Sequence, residues 1–288
     1  HHAGFPGSYG DGMAAVLAEE KTRESIWEAI KARRTYAVTG DRILCDFKIN
    51  DAWMGSEITG NVRRVKARIE TEGTLDKIIL YKNLKPYHII NGEMFQEVNE
   101  EGCYKIRMEM GWGNSSLYRW NGQVRTTGGT IEDYHTYFRG RSVLTPSADE
   151  SYDENNINDI ETYSKLKNDK ELVWSCDTVG NKSTLHPSTS SIVIKVRGDL
   201  QTKISFRFNE KEYEATIGEL LQYGYTNHME YYHSQAFKIY KAVPETKYIF
   251  NLELEDLNPE QECDCYHLEV AQKNRQWAFV SPIYVNRE

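Results

Sequence analysis

Apolar and polar residues alternate at every second position along most of this chain. Ile43, Cys45, Phe47 and Ile49 alternate with Leu44, Asp46 and Lys48, which predicts a half-buried strand ending at an Asn50-Asp51 turn. Val65, Ala67 and Ile69 repeat the period. Ile78 to Tyr81 and Tyr87 to Ile90 follow, and Asn91-Gly92 reads as a hairpin turn. Tyr104, Ile106, Met108 and Met110 form the next run, and Leu117 to Trp120 leads into a second Asn-Gly pair, Asn121-Gly122. Later runs are Leu172 to Cys176, Ser191 to Val196, Ile204 to Phe208, Phe237 to Tyr240, Tyr248 to Leu254, Tyr266 to Val270 and Trp277 to Val280. Short strands at this spacing predict a mainly β protein with antiparallel, sandwich-like sheets.

The helical period appears in two places. Thr22 is placed to cap a helix in which Ile26, Trp27 and Ile30 share one face, with Lys31, Arg33 and Arg34 crowding its last turn. Thr35 to Thr39 then reads as a short strand and Gly40-Asp41 as a turn. Thr216 with Glu219 forms a capping box for a second, short helix running through Leu221.

Composition narrows the partners. The 288 residues carry a net charge of −8 and no Lys/Arg-rich run, which argues against nucleic acid and anionic membranes. No apolar run reaches the length that spans a bilayer, so no membrane-spanning segment is expected. Five cysteines are widely spread in a chain too large to depend on disulfide staples, and they leave the compartment, and so the localisation, open. The 19 tyrosines and 6 tryptophans exceed what a core needs and point to a surface that uses rings.

Chemistry is hinted at near the start. His1-His2 precede a segment that Gly4, Pro6 and Gly7 force to turn, a placement that suits a metal ligand or a general base. Taken alone, the pair is equally consistent with the remnant of an affinity tag. The surrounding motifs favour the first reading. His2 with Pro6-Gly7, Thr22-Arg23-Glu24-Ser25-Ile26, the run Arg33 to Arg42, Met54-Gly55 and Ser281-Pro282-Ile283-Tyr284-Val285 together resemble the C-terminal end of a PHP-type (polymerase and histidinol phosphatase) metallohydrolase. The branch is CehA/McbA-like, with a C-terminal domain of unknown function.

The resemblance implies that residues 1–42 are a short α/β remnant of a distorted (βα)₇ barrel, with His2 as a metal ligand and His1 as a second candidate. It implies divalent metal ions (Zn, Mn or Fe) in a full-length parent that hydrolyses an ester, carbamate or phosphoester small molecule. The remaining ligands would lie in the preceding barrel, the chain's intramolecular partner. One histidine cannot hold a catalytic metal, because such sites need about three protein ligands. The chain is therefore expected to bind no metal tightly and to be inactive alone. After residue 42 the expected divisions are a β-sandwich-like lobe over 43–148, a linker or surface excursion over 149–190, and a second β-rich lobe over 191–288.

The alternative is a binding or scaffolding module that meets carbohydrate or protein through surface aromatics. Trp112, Tyr118, Trp120, Tyr134, Tyr137 and Phe138 cluster among glycines, and His135 sits inside that group. Trp112, Trp120 and His135 are candidate substrate or interface residues, while the cluster reads equally as core or as the surface that closes over the preceding barrel. Arg42, with Arg33 and Arg34, is a candidate for an anionic substrate, although a helix C-terminus favours cations in any case. Cys263, Cys265 and His267 fall at i, i+2 and i+4 of an expected strand and could share a face, but no fourth ligand is evident. In the resembling family the recurring element there is Asp264-x-Tyr266. His228, Glu230 and His233 lack the spacing that puts two histidines on one helical face and read as solvated loop residues.

Overall fold

The computed structural model describes residues 12–92, 101–113, 118–138, 162–178 and 189–288. These fall into two compact lobes that the chain does not build in sequence. One, here the split lobe, takes residues 12–92 and 246–288; the other, the inserted lobe, takes 101–245. The strand Arg63–Glu70 pairs along its whole length with Ile249–Asp256, so the first and last thirds of the sequence share one sheet. The lobes are thus divided differently from the sequence-based boundaries, and each combines segments from both expected β-regions. Within 149–190, the strands Tyr163–Asn168 and Glu171–Thr178 are paired members of a sheet rather than a linker.

The split lobe holds two sheets. Its four-stranded sheet runs Ile249–Asp256, Arg63–Glu70, Leu44–Ile49, Ala52–Trp53, all antiparallel. Its eight-stranded sheet is organised on Cys263–Gln272, which pairs with Leu75–Lys82, Trp277–Val280 and Ile283–Asn286. One pair in it, Ile283–Asn286 with Glu57–Thr59, is parallel. Period-2 residues of both sheets (Phe47, Val65, Ile69, Ile78, Leu80, Leu268, Val270) meet in one core. The described part of residues 1–42 belongs here: Met13–Val16 pairs antiparallel with Thr35–Val38, which pairs in turn with Trp277–Val280. The helix Arg23–Lys31 lies between those two strands in sequence, with Thr22 capping it as expected.

The inserted lobe repeats the plan with a five-stranded and a six-stranded sheet around a separate core. Phe206, Phe208, Trp174 and Trp120 from one sheet meet Met108, Met110, Ile194 and Phe237 from the other. The Thr216/Glu219 capping box is present on the helix Ile217–Gln222. Asn121-Gly122 is not a turn; both residues lie inside the strand Tyr118–Thr127, hydrogen-bonded on either side. The reason is packing: a Cβ on Gly122 would sit 2.0 Å from the Trp174 ring, so the glycine marks a close approach rather than a reversal.

Candidate functional site

Most of the motif residues that carry the resemblance converge in the split lobe, where they hold the fold together. Gly55 donates its N–H to the Pro282 carbonyl at 2.9 Å, and its backbone is left-handed (φ +84°). A Cβ there would meet the carbonyl oxygens of Arg33 and Ala32 at 2.4 and 2.6 Å. Three motif segments far apart in sequence therefore touch at one glycine. Tyr36 donates its hydroxyl to the Ile43 carbonyl at 2.9 Å, and burial pushes its pKa up so that it stays a donor. The Thr39 hydroxyl donates to Gln276 at 2.7 Å and accepts from the N–H of Trp277. The Asp41 carboxylate, fully buried, accepts from Gln272 at 3.1 Å and Asn274 at 2.7 Å.

A group of buried ionisable side chains lies where four strands of the same lobe end. Arg63 and Asp264, both inaccessible to solvent, pair at 3.1 Å; Lys82 and Asp256 pair at 2.7 Å. The Tyr266 hydroxyl donates to the same Asp256 oxygen at 2.7 Å. Burial pushes the Asp256 carboxyl up, but hydrogen bonds from Lys82, Tyr266 and the Asn258 backbone outweigh it and hold the group below its ordinary value. Asp264 also accepts from the backbone of Glu260 and Gln261 and from Asn83 at 2.8 Å. The loop between Asp256 and Asp264 is thereby clamped over the cluster. Each charge of this cluster meets an opposite charge, as burial requires.

The sequence did carry a signal for this cluster. Arg63 is in phase with Val65, Ala67 and Ile69; Lys82 with Ile78 and Leu80; Asp264 and Tyr266 with Leu268 and Val270. A charged residue that ends a two-residue apolar period in phase is directed inward by the pleat.

Among the described residues, the candidates singled out from sequence are divided between the two lobes. His1 and His2 lie outside the described residues. Trp120, a candidate for surface contact, is instead a core residue: its strand is central in its sheet, the ring is fully buried, and its N–H donates to the Thr178 hydroxyl at 2.8 Å. Trp112 is exposed (46%) just past the strand Glu101–Gly111, in a left-handed backbone conformation. His135 is half-buried on Thr130–Tyr137, its Nδ1 3.7 Å from Asp133. Arg42 is exposed and belongs to the other lobe, where its charge acts on the Tyr36 hydroxyl.

Cys263, Cys265 and His267 do share the half-exposed face of their strand. There His267 stacks on Tyr81 at 4.6 Å, and burial pulls its pKa down. Among the described residues no group of three or more His, Cys, Asp and Glu side chains is arranged to hold a metal ion, and that includes His228, Glu230 and His233. Exposed rings that sequence reasoning missed are Tyr231 and Tyr232 (77%), at the tip of the loop joining Tyr225–His228 to Ala236–Ile239. A polar cleft of about 430 Å³ in the split lobe is lined by Asn50, Asp51, Asn61, Arg64 and Lys66 among others. Among the described residues no helix is long and apolar enough to cross a membrane.

Comparison with known proteins places one part of the chain. Residues 7–60 match the family described as "Protein of unknown function (DUF3604)". An uncharacterized protein of Chlamydia pneumoniae is 38% identical over 87 residues, 30% of this chain and 14% of that protein. Uncharacterized proteins of Chlamydia trachomatis and Chlamydia muridarum are each 40% identical over 55 residues, 19% of this chain and 9% of theirs. The chain thus spans 14% or less of the length of these curated relatives.

Proposed function

We propose that this chain is the β-rich C-terminal part of a longer metal-dependent hydrolase, acting on an ester, carbamate or phosphoester, and that alone it is catalytically silent. The observation that carries the reading is the junction at Gly55, where Arg33, Gly55 and Pro282 meet. It ties the motif run of residues 33–42 to the far end of the chain. The split lobe then serves as a rigid anchor for that motif run. In the parent, His2 would contribute one ligand to divalent metal ions otherwise held by preceding residues, and those ions would lower the pKa of bound water and polarise the scissile group. The test is chelator-sensitive hydrolysis of nitrophenyl esters, carbamates and phosphates by the parent and by this chain. Turnover is expected from the parent and not from the chain. In the parent, His2→Ala should lower metal content and turnover together. Chelator-sensitive turnover by the isolated chain would move the site into residues 1–288 and defeat the proposal.

A second reading is favoured by one observation, the exposure of Tyr231, Tyr232 and Trp112 in the inserted lobe. Exposed rings with little to cover them suit carbohydrate or a protein partner. Binding of a soluble polysaccharide that survives chelator and falls in Tyr232→Ala would support this reading; undiminished binding in that variant would remove it.

A further inference from the structure

The helix Arg23–Lys31 shows only part of its apolar arc to its own lobe. Ile26, Trp27, Ala29 and Ile30 stand at the spacings that place residues on one side of a helix. Ala29 is buried and Ile26 half-buried, whereas Trp27 is 59% and Ile30 44% exposed. Nine residues is short for a helix that draws so little on tertiary burial, since isolated helices of this length are marginal in water. Thr22 and the first-turn Glu24 supply an N-terminal cap and a favourable charge, and Lys31 pairs with Glu28 at 2.6 Å. Each such contribution is small, and none covers the Trp27 ring.

The helix lies inside residues 7–60, the segment matched as a family, and the relatives are proteins of which the matched stretch is 14% or less. Stretches of this sequence are therefore carried in chains several times longer. We infer that the outward face of this helix, centred on Trp27 and Ile30, is the docking surface for a globular segment of the longer protein outside residues 1–288. The inference rests on the proposed reading of the chain as part of a longer hydrolase. It assigns the interface to the helix rather than to Trp112 or His135. An aromatic ring beside a branched aliphatic side chain is the composition of an interface centre, and the partner should offer an apolar pocket that receives the ring.

Hydrogen exchange read by mass spectrometry tests this on two proteins, the parent and the present chain. The amides of residues 26–31 should exchange at least tenfold more slowly in the parent. A Trp27→Glu, Ile30→Glu parent should return them to the rate of the isolated chain, while protection of the strand Cys263–Gln272 stays unchanged and reports an intact lobe. Equal helix rates in parent and chain would overturn the inference. Concentration-dependent protection in the isolated chain, lost in the double variant, would assign the face to a second copy and also overturn it. Chelator-sensitive turnover of the parent is scored separately. A protected helix without turnover leaves the docking face and removes the hydrolase reading; turnover with an unprotected helix does the reverse.

Discussion

The two lobes share a plan and differ in what they bury. The inserted lobe fills its core with Trp120, Trp174, Phe206, Phe208 and Phe237, and its buried Asp177 is met by Arg119, which reaches in from a half-exposed position. The split lobe closes one end of its sandwich with Arg63, Lys82, Asp256 and Asp264, all removed from solvent. A rim pair can be replaced by water when one partner is lost, and a buried pair cannot. Buried pairs contribute little net stability but are costly to halve, so they fix a structure more than they strengthen it. The split lobe is therefore the less tolerant of the two at particular residues.

The largest expected break of this comparison is Lys82→Met. It leaves Asp256 buried with uncharged donors alone, among them the Tyr266 and Tyr87 hydroxyls and the Asn258 N–H, and should destabilise the split lobe by about 3–5 kcal/mol. Arg119→Met in the inserted lobe should cost less, about 1–3 kcal/mol, because water can reach the place the guanidinium vacates. Urea titrations followed by hydrogen exchange of peptides from each lobe separate the two. An equal loss from both variants would mean that burial of the pair does not set the cost. Converting Lys82 and Asp256 together to Met and Leu should recover most of what Lys82→Met loses.

A smaller effect is expected at the motif junction. Gly55→Ala places a Cβ against two carbonyl oxygens in a left-handed backbone, and the backbone cost alone is about 1–2 kcal/mol. The midpoint for the split lobe should fall and that for the inserted lobe should not. A neutral Gly55→Ala would show that the junction relaxes freely and would remove the observation on which the anchoring role rests.

Much of this architecture was legible in sequence, because the two-residue period fixes which face of each strand is buried. Phe47, Ile69, Met108 and Phe206 are core residues for that reason. The capping box at Thr216 was equally plain, being a contact between residues three apart. What stayed hidden depends on contacts distant in sequence. Nothing local says that Arg63–Glu70 will pair with Ile249–Asp256 across an inserted lobe. Gly122 looked like a turn because the Trp174 ring that demands a glycine lies on another strand. Trp120 looked like surface because nothing in its neighbours along the chain reports that its strand is central. The candidate site was the least legible part. Lys82 and Arg63 were in phase with apolar runs, which directs them inward, but nothing local names the partners across the sandwich that neutralise them.

Acid should sharpen the comparison most gently. In the split lobe the folded-state pKa of Asp256 is depressed: burial alone would raise it, and the bonds from Lys82 and Tyr266 overcome that. A carboxyl depressed on folding contributes stability that is complete above its unfolded pKa, about 3.9, and that is lost as pH falls through the folded value. His267, pulled down by burial, acts earlier: the unfolded state takes up its proton first, so stability begins to fall below about pH 6.5. The inserted lobe also carries depressed carboxyls, Glu132 through its bond from Arg197 and Glu214 through its bond from Ser205. Glu214 stands in solvent and the Glu132–Arg197 pair is at the surface, where salt screens such charges over about 3 Å at 1 M. Between pH 7 and 3 both lobes should therefore lose stability in dilute buffer. In 1 M salt the slope for the inserted lobe should flatten while that for the split lobe persists, because no counter-ion reaches Asp256. Peptide-resolved hydrogen exchange across the two titrations reads both slopes. A salt-sensitive slope in the split lobe would mean that solvent enters its cluster.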